Sequence, residues 1–184
     1  MKVIFITNKE IRFKQFQLLS PWDAVMVKYF ESLDYKREKV HIILPKNISI
    51  NVGKNDLFIV DNLTYELYAF NNHPVKNTRF LIDIGFENIK KVAELRGRRM
   101  IQRTQFKILD SSFGFVKKID TTVVGSFLVD EETDTMDFDE LFVLDSFLVP
   151  YSKIPLKESA IVGSIGMATK LFVDWGIKNN LDFK

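Results

Sequence analysis

At 184 residues the chain is long enough for one full hydrophobic core and short for two independent domains. Its composition, 46% hydrophobic and 27% charged, is that of a folded globular protein, and the absence of cysteine excludes disulfides, thiolate-bound zinc and thiol nucleophiles. The net charge of +2 conceals a polarity: residues 1–107 carry 19 Lys and Arg against 11 Asp and Glu, and residues 108–184 carry 7 against 13. Such a chain attracts an anionic ligand to its first part, or pairs its two parts with each other or head to tail in a homo-oligomer. No apolar run approaches the roughly 18 residues that a membrane span needs. No secretory leader is visible at the start. Together these features predict a cytoplasmic protein with no membrane partner.

Four short β-branched or aromatic runs punctuate the first 110 residues: 3–7, 40–44, 57–60 and 80–84. Helix-compatible stretches separate them, which is the pattern of a parallel α/β sheet of Rossmann-like or flavodoxin-like type. Segment 3–7 lacks polar alternation and predicts a strand buried on both faces. Residues 8–20 mix Lys9, Arg12 and Lys14 with Ile11, Phe13, Phe16, Leu18 and Leu19, and read as a long connection of the kind that carries function. Ser20-Pro21-Trp22-Asp23 carries the marks of a helix start, a capping serine followed by proline. Apolar residues at 22, 25, 26, 29, 30 and 33 extend that prediction along one helical face.

Strands are expected at 40–44 and 56–61, and a short helical piece near 64–70. A further strand is expected at 79–84, then a helix from Glu87 to about Arg96, with Gly97 either its C-terminal stop or a weak point in a longer helix. Residues 106–109 add a fifth strand. Beyond residue 110 the pattern changes. Segments 121–129 and 141–149 predict a β-hairpin joined by an acidic loop, and residues 157–179 a final helix buried on more than one side. Gly163 and Gly166 in that helix would admit a neighbouring backbone. The domain prediction is therefore a single α/β domain over 1–184, an α/β core at 1–110 with a hairpin-plus-helix extension at 111–184.

In a parallel sheet, ligands gather at the carboxyl ends of the strands. That rule selects Asn8, Asp61 and Asp83, with Asn62 beside the second of them. Lys9, Arg12 and Lys14 add positive charge, and the helix expected to start at Ser20 adds backbone N–H groups. The set Asn8, Lys9, Arg12, Lys14, Ser20, Asp61, Asn62 and Asp83 is thus the candidate site for a nucleotide, nucleotide-sugar or other phosphorylated small molecule, with group-transfer chemistry open. No nucleophile or general base stands out.

Motif by motif, the chain has no GxxxxGK[ST] and no GxGxxG. His41 and His73 have no metal-ligand spacing, so no metal site and no particular cofactor is predicted. Val162-Gly163-Ser164-Ile165-Gly166 lacks the first glycine of a nucleophile elbow. Segment 56–61 resembles the third strand of bacterial receiver domains, but Asn8-Lys9 replaces their acidic pair. The opening strand, loop and helix resemble the first half of two-domain glycosyltransferases, without their second domain.

The alternative reading is a non-catalytic assembly protein that contacts nucleic acid through residues 90–107. There Lys90, Lys91, Arg96, Arg98, Arg99 and Arg103 concentrate positive charge, with Gln102 and Gln105 as polar partners. The opposing expectation is a solvated face. The acidic segment 130–140 fails the spacing of a calcium loop and reads as a solvated hairpin loop, its Asp137-Phe138-Asp139 included.

Overall fold

The computed structural model describes residues 1–28, 30–34, 39–43, 52–71, 73–74, 84–129 and 137–181. It has the expected α/β class: a mixed sheet flanked by helices. In chain order its elements are β1 (Val3–Thr7), α1 (Glu10–Leu19), β2 (Ala24–Lys28), β3 (Phe30–Asp34), β4 (Lys39–Ile43), β5 (Leu57–Leu67) and β6 (His73–Pro74). There follow α2 (Phe86–Arg96), β7 (Arg99–Leu109), β8 (Phe115–Phe127), α3 (Phe138–Leu141), β9 (Phe142–Leu144), α4 (Leu156–Val162) and α5 (Ser164–Lys178). The main sheet runs β2-β1-β5-β7-β8-β9, with β6 paired to β5; β3 and β4 form a separate antiparallel pair. Two compact units divide the chain, one of residues 1–62, 105–119 and 168–184, the other of residues 63–104 and 120–167.

In the first unit, β1 lies between two parallel neighbours, with Val3 opposite Ala24 of β2 and Leu57 of β5. Every residue of β1 is buried, as its unbroken apolar run predicts. One sheet face gathers Ile4, Ile6, Val27 and Phe58. On the other, Phe5 stacks on Phe16 of α1 at 4.6 Å between ring centres and meets Phe106 of β7 edge-on at 5.5 Å. Phe172 of α5 packs against Phe16 and Trp22 there. Aromatic burial of this kind is what a Phe-rich chain needs.

The second unit has its own core. Tyr65 and Leu67 of β5, Ile89 and Ala93 of α2, Met100 of β7, Phe127 of β8 and Phe142 of β9 share it with Tyr151 and Ile154. The expected antiparallel pairing is present, Gly125–Phe127 with Phe142–Leu144, but the second strand covers only 142–144 of the expected 141–149 and follows directly on α3.

Several expectations are corrected. Residues 8–20 are not a connection, because Glu10–Leu19 is a helix. The stretch after Ser20 is not a helix, because Ala24–Lys28 pairs with β1 residue for residue and Phe30–Asp34 pairs with β4. Ser20-Pro21 closes α1 instead of opening a helix: the Ser20 N–H donates to the Phe16 carbonyl, and proline follows a helix end as readily as it begins one. The strand near 40–44 belongs to the β3–β4 pair instead of the parallel sheet. Residues 64–67 continue β5, and only Tyr68–Phe70 turn, as a 3-10 helix.

The strand expected at 79–84 falls, but for Ile84, outside the described residues. Helix α2 and its Gly97 stop agree with the sequence pattern. The last helix is two, α4 and α5, broken at Gly163. There the room for a side chain vanishes: a Cβ on Gly166 would lie 1.6 Å from the Ala160 carbonyl oxygen.

Candidate functional site

The parallel register places Ile6 beside Val60, so the next residues, Thr7 and Asp61, are neighbours on the face that α1 covers. Thr7 Oγ1 donates to Asp61 Oδ2 at 2.9 Å. Helix α1 begins two residues after β1 ends, and its first turn returns Arg12 over the same point. Arg12 Nη1 donates to Asp61 Oδ2 at 3.2 Å and to Asn8 Oδ1 at 3.1 Å. Arg12 is 7% exposed and Asp61 fully buried. A buried ion pair costs desolvation on both partners, so it is weak evidence for stability, whereas losing either partner is strongly destabilising. Gln15, one turn further along α1, is also buried.

Lys9 is the residue before α1, with no side-chain cap on the helix. Its N–H reaches Thr7 Oγ1 at 3.4 Å. The site therefore consists of the carboxyl end of β1, the amino end of α1 and Asp61 within β5.

Of the eight predicted residues, Asn8, Arg12 and Asp61 come into direct contact. Lys9 precedes Arg12 at the helix start, and Asn62 follows Asp61 on β5. Lys14 does not join them; it pairs with Glu10 at 2.8 Å on the exposed side of α1. That contact, chiefly the hydrogen bond from Lys14, holds the Glu10 carboxyl below its usual range. Ser20 is corrected outright. It terminates α1 at the end opposite Lys9, so it offers no helix N-terminus, and its Oγ accepts from the Trp22 N–H at 3.3 Å. Asp83 lies outside the described residues. Thr7 and Gln15 were missed because both read as ordinary members of their segments.

The basic stretch is divided by the fold. Lys107 belongs to the first unit, and most of the rest to the second. Arg103 is committed to Glu66 through Nε at 2.6 Å and Nη2 at 3.3 Å, and this bond raises its pKa further. Gln102 is buried, so it cannot be a polar partner for a surface ligand. Lys91, Arg96, Arg98 and Arg99 are largely open to solvent and Lys90 is half-buried.

Gln102 instead centres a second polar group that the sequence pattern does not assemble. Its Nε2 donates to the Tyr65 hydroxyl at 2.9 Å, and the Tyr65 hydroxyl donates to Asp139. Its Oε1 accepts from the Ser164 N–H at 3.1 Å and from Ser164 Oγ at 2.8 Å. Thr104 Oγ1 lies 2.7 Å from Ser164 Oγ, and Thr121 Oγ1 donates to the Ser164 carbonyl at 2.6 Å. Gln102, Ser164, Thr104, Thr121, Tyr65 and Asp139 are all buried. Asp139 is thus not part of a solvated loop; residues 130–136 of that segment lie outside the described ones. Ser164 begins a helix and is held by this network, as its elbow-like surroundings do not suggest. No group of three or more His, Cys, Asp or Glu able to hold a metal ion occurs among the described residues, and no single described helix is long and apolar enough to cross a membrane.

These features define an α/β protein with a buried Arg–Asp pair beside the carboxyl end of β1, its aspartate lying within β5. No family model matches the sequence, nor does any curated protein. Solved structures do share the fold. The Ham1 protein of Staphylococcus aureus superposes with a TM-score of 0.57 at 13% identity, covering 98% of this chain and 100% of that one. A HAM1 protein from Coxiella burnetii gives 0.61 at 10% identity, covering 97% and 99%. A nucleoside-triphosphatase / dITP/XTP pyrophosphatase from Mycobacterium abscessus gives 0.49 at 12% identity, covering 94% and 99%. At these identities the likeness is one of fold.

Proposed function

We propose that the chain binds a nucleotide, or another phosphorylated small molecule of that kind, at the end of β1, with the phosphate chain against the amino end of α1. The observation that carries this reading is the Arg12–Asp61 pair, buried beside Thr7 and Asn8 at the carboxyl end of β1, which is parallel to both its neighbours. Backbone N–H groups in the first turn of α1, together with Lys9, suit an anion, and Arg12 fixes where it sits.

Thermal shift and calorimetry with nucleoside mono-, di- and triphosphates, each with and without Mg²⁺, test the proposal. Phosphate and pyrophosphate release in the same samples reads any hydrolysis. Lys9→Ala and Asn8→Ala should weaken binding while leaving the melting temperature of the free protein within a few degrees. Binding that neither substitution alters would place the site elsewhere.

A further inference from the structure

In the second unit the exposed remainder of the basic stretch includes a glycine that packs against an aromatic ring. Tyr68 opens the 3-10 turn after β5 and is 54% exposed. It sits over Gly97: a Cβ there would lie 3.5 Å from Tyr68 Cδ1. Gly97 has φ +116°, a conformation that side chains rarely adopt, so this floor under the ring stays bare. Arg96 and Arg98 flank the glycine. The first donates from Nη1 to the Ala69 carbonyl at 3.4 Å, next to Tyr68, and the Arg98 carbonyl is anchored by the Phe127 N–H at 2.7 Å. Arg99 follows, and Lys91 lies one helical turn before the exposed Leu95 on α2. Residues 90–99 hold five basic side chains, Lys90 included, against one acid, Glu94, so the local field is positive.

We infer that this patch, Tyr68 with Lys91, Arg96, Arg98 and Arg99, binds single-stranded nucleic acid, Tyr68 stacking on a base and the cations meeting the flanking phosphates. A half-exposed ring against a glycine that two arginines flank in the chain suits base stacking, which is indifferent to base sequence. The sequence alone shows only the charge, because Tyr68 is 29 residues away from Gly97 along the chain.

Fluorescence anisotropy with labelled dT12 and rU12 on the full chain tests the inference. Four phosphate contacts predict about a 50-fold loss of affinity between 50 and 200 mM salt. Tyr68→Ala should lower affinity about 5- to 150-fold, while Tyr68→Phe, which keeps the ring, should bind as the parent does. If Tyr68→Ala melts early, Lys91→Glu with Arg99→Glu supplies the same reading from exposed positions, with a loss of at least about 10-fold. Several results would overturn the inference: no binding at 50 mM salt, equal affinity for Tyr68→Ala, or equal, Tyr68-dependent binding of polyglutamate, which would mark an acidic protein surface instead. Displacement of the oligonucleotide by a saturating mononucleotide would also overturn it, since the strand would then occupy the β1 site. Failure of the nucleotide reading leaves these outcomes untouched.

Discussion

Removing one member of the Arg12–Asp61 pair should damage the fold more than its single 3.2 Å contact suggests. With Arg12→Met, Asp61 stays fully buried and retains Thr7 Oγ1 as its neighbour in the site. Removing one partner of a buried ion pair costs about 3–5 kcal/mol. In a chain of this length each kcal/mol moves the melting temperature by about 2–4 °C, so the variant should melt about 6–20 °C lower. Asp61→Leu should cost a similar amount, because the guanidinium is then buried without its carboxylate, Asn8 still accepting from it. The double variant should recover most of the loss, since an apolar pair of similar volume is often neutral or better. The coupling energy read from this cycle by calorimetric or urea unfolding should therefore be about 3 kcal/mol or more. Single variants that each cost less than about 1 kcal/mol would show a pair screened by water, and the argument from burial would fail. The double variant also separates fold from function: restored melting without nucleotide binding assigns the pair to the site.

Three further outcomes follow from local geometry. Gln102→Leu leaves the Ser164 N–H and hydroxyl without their buried acceptor and should cost about 2–3 kcal/mol, measured by urea unfolding; a cost near zero would mean that water replaces the amide. Gly166→Ala forces a Cβ onto the Ala160 carbonyl at the α4–α5 break and should cost about 3 kcal/mol or more, whereas a variant as stable as the parent would show that the break relaxes freely. Asp110 accepts from the backbone N–H groups of Gly114 and Ser112 in the β7–β8 turn, and these bonds hold its carboxyl below the usual 3.8. A depressed folded pKa gives stability that is present above the unfolded value and lost as pH falls through the folded one. Asp110→Asn should therefore melt below the parent at pH 7, with the gap closing below pH 3.8; a gap constant from pH 7 to pH 2 would assign the effect to shape instead of charge.

The legible elements were those whose buried faces are apolar. β1 is apolar throughout, β5 begins so, and α2 ends at a glycine, and each was readable in place. The segment after Ser20 misled because two local signals have two meanings. Serine followed by proline fits a helix beginning or a helix ending, and the apolar spacing from Trp22 onward fits a helical face. What decides is a partner outside the window: β1 offers an edge, and Ala24–Lys28 fills it with five registered residues. Trp22, counted as the first residue of a helical stripe, is buried against Phe172 instead, 150 residues later in the chain.

The misreading of α1 has a different origin, and it bears on the site. The core-facing positions of this helix include Arg12 and Gln15 beside Phe16, while Ile11 and Leu18 face solvent. Polar side chains inside and apolar ones outside erase the periodicity by which an amphipathic helix is read. The same substitution of polar for apolar occurs on the buried side of β7, where Gln102 and Thr104 stand between Met100 and Phe106. A sequence that accepts such residues at buried positions departs from the pattern that stability alone selects, and departures of this kind collect at sites. Residues 8–20 thus supply the buried polar side chains, Arg12 and Gln15, on which the proposed site rests. The double-variant cycle measures how strongly Arg12 and Asp61 depend on each other in the fold.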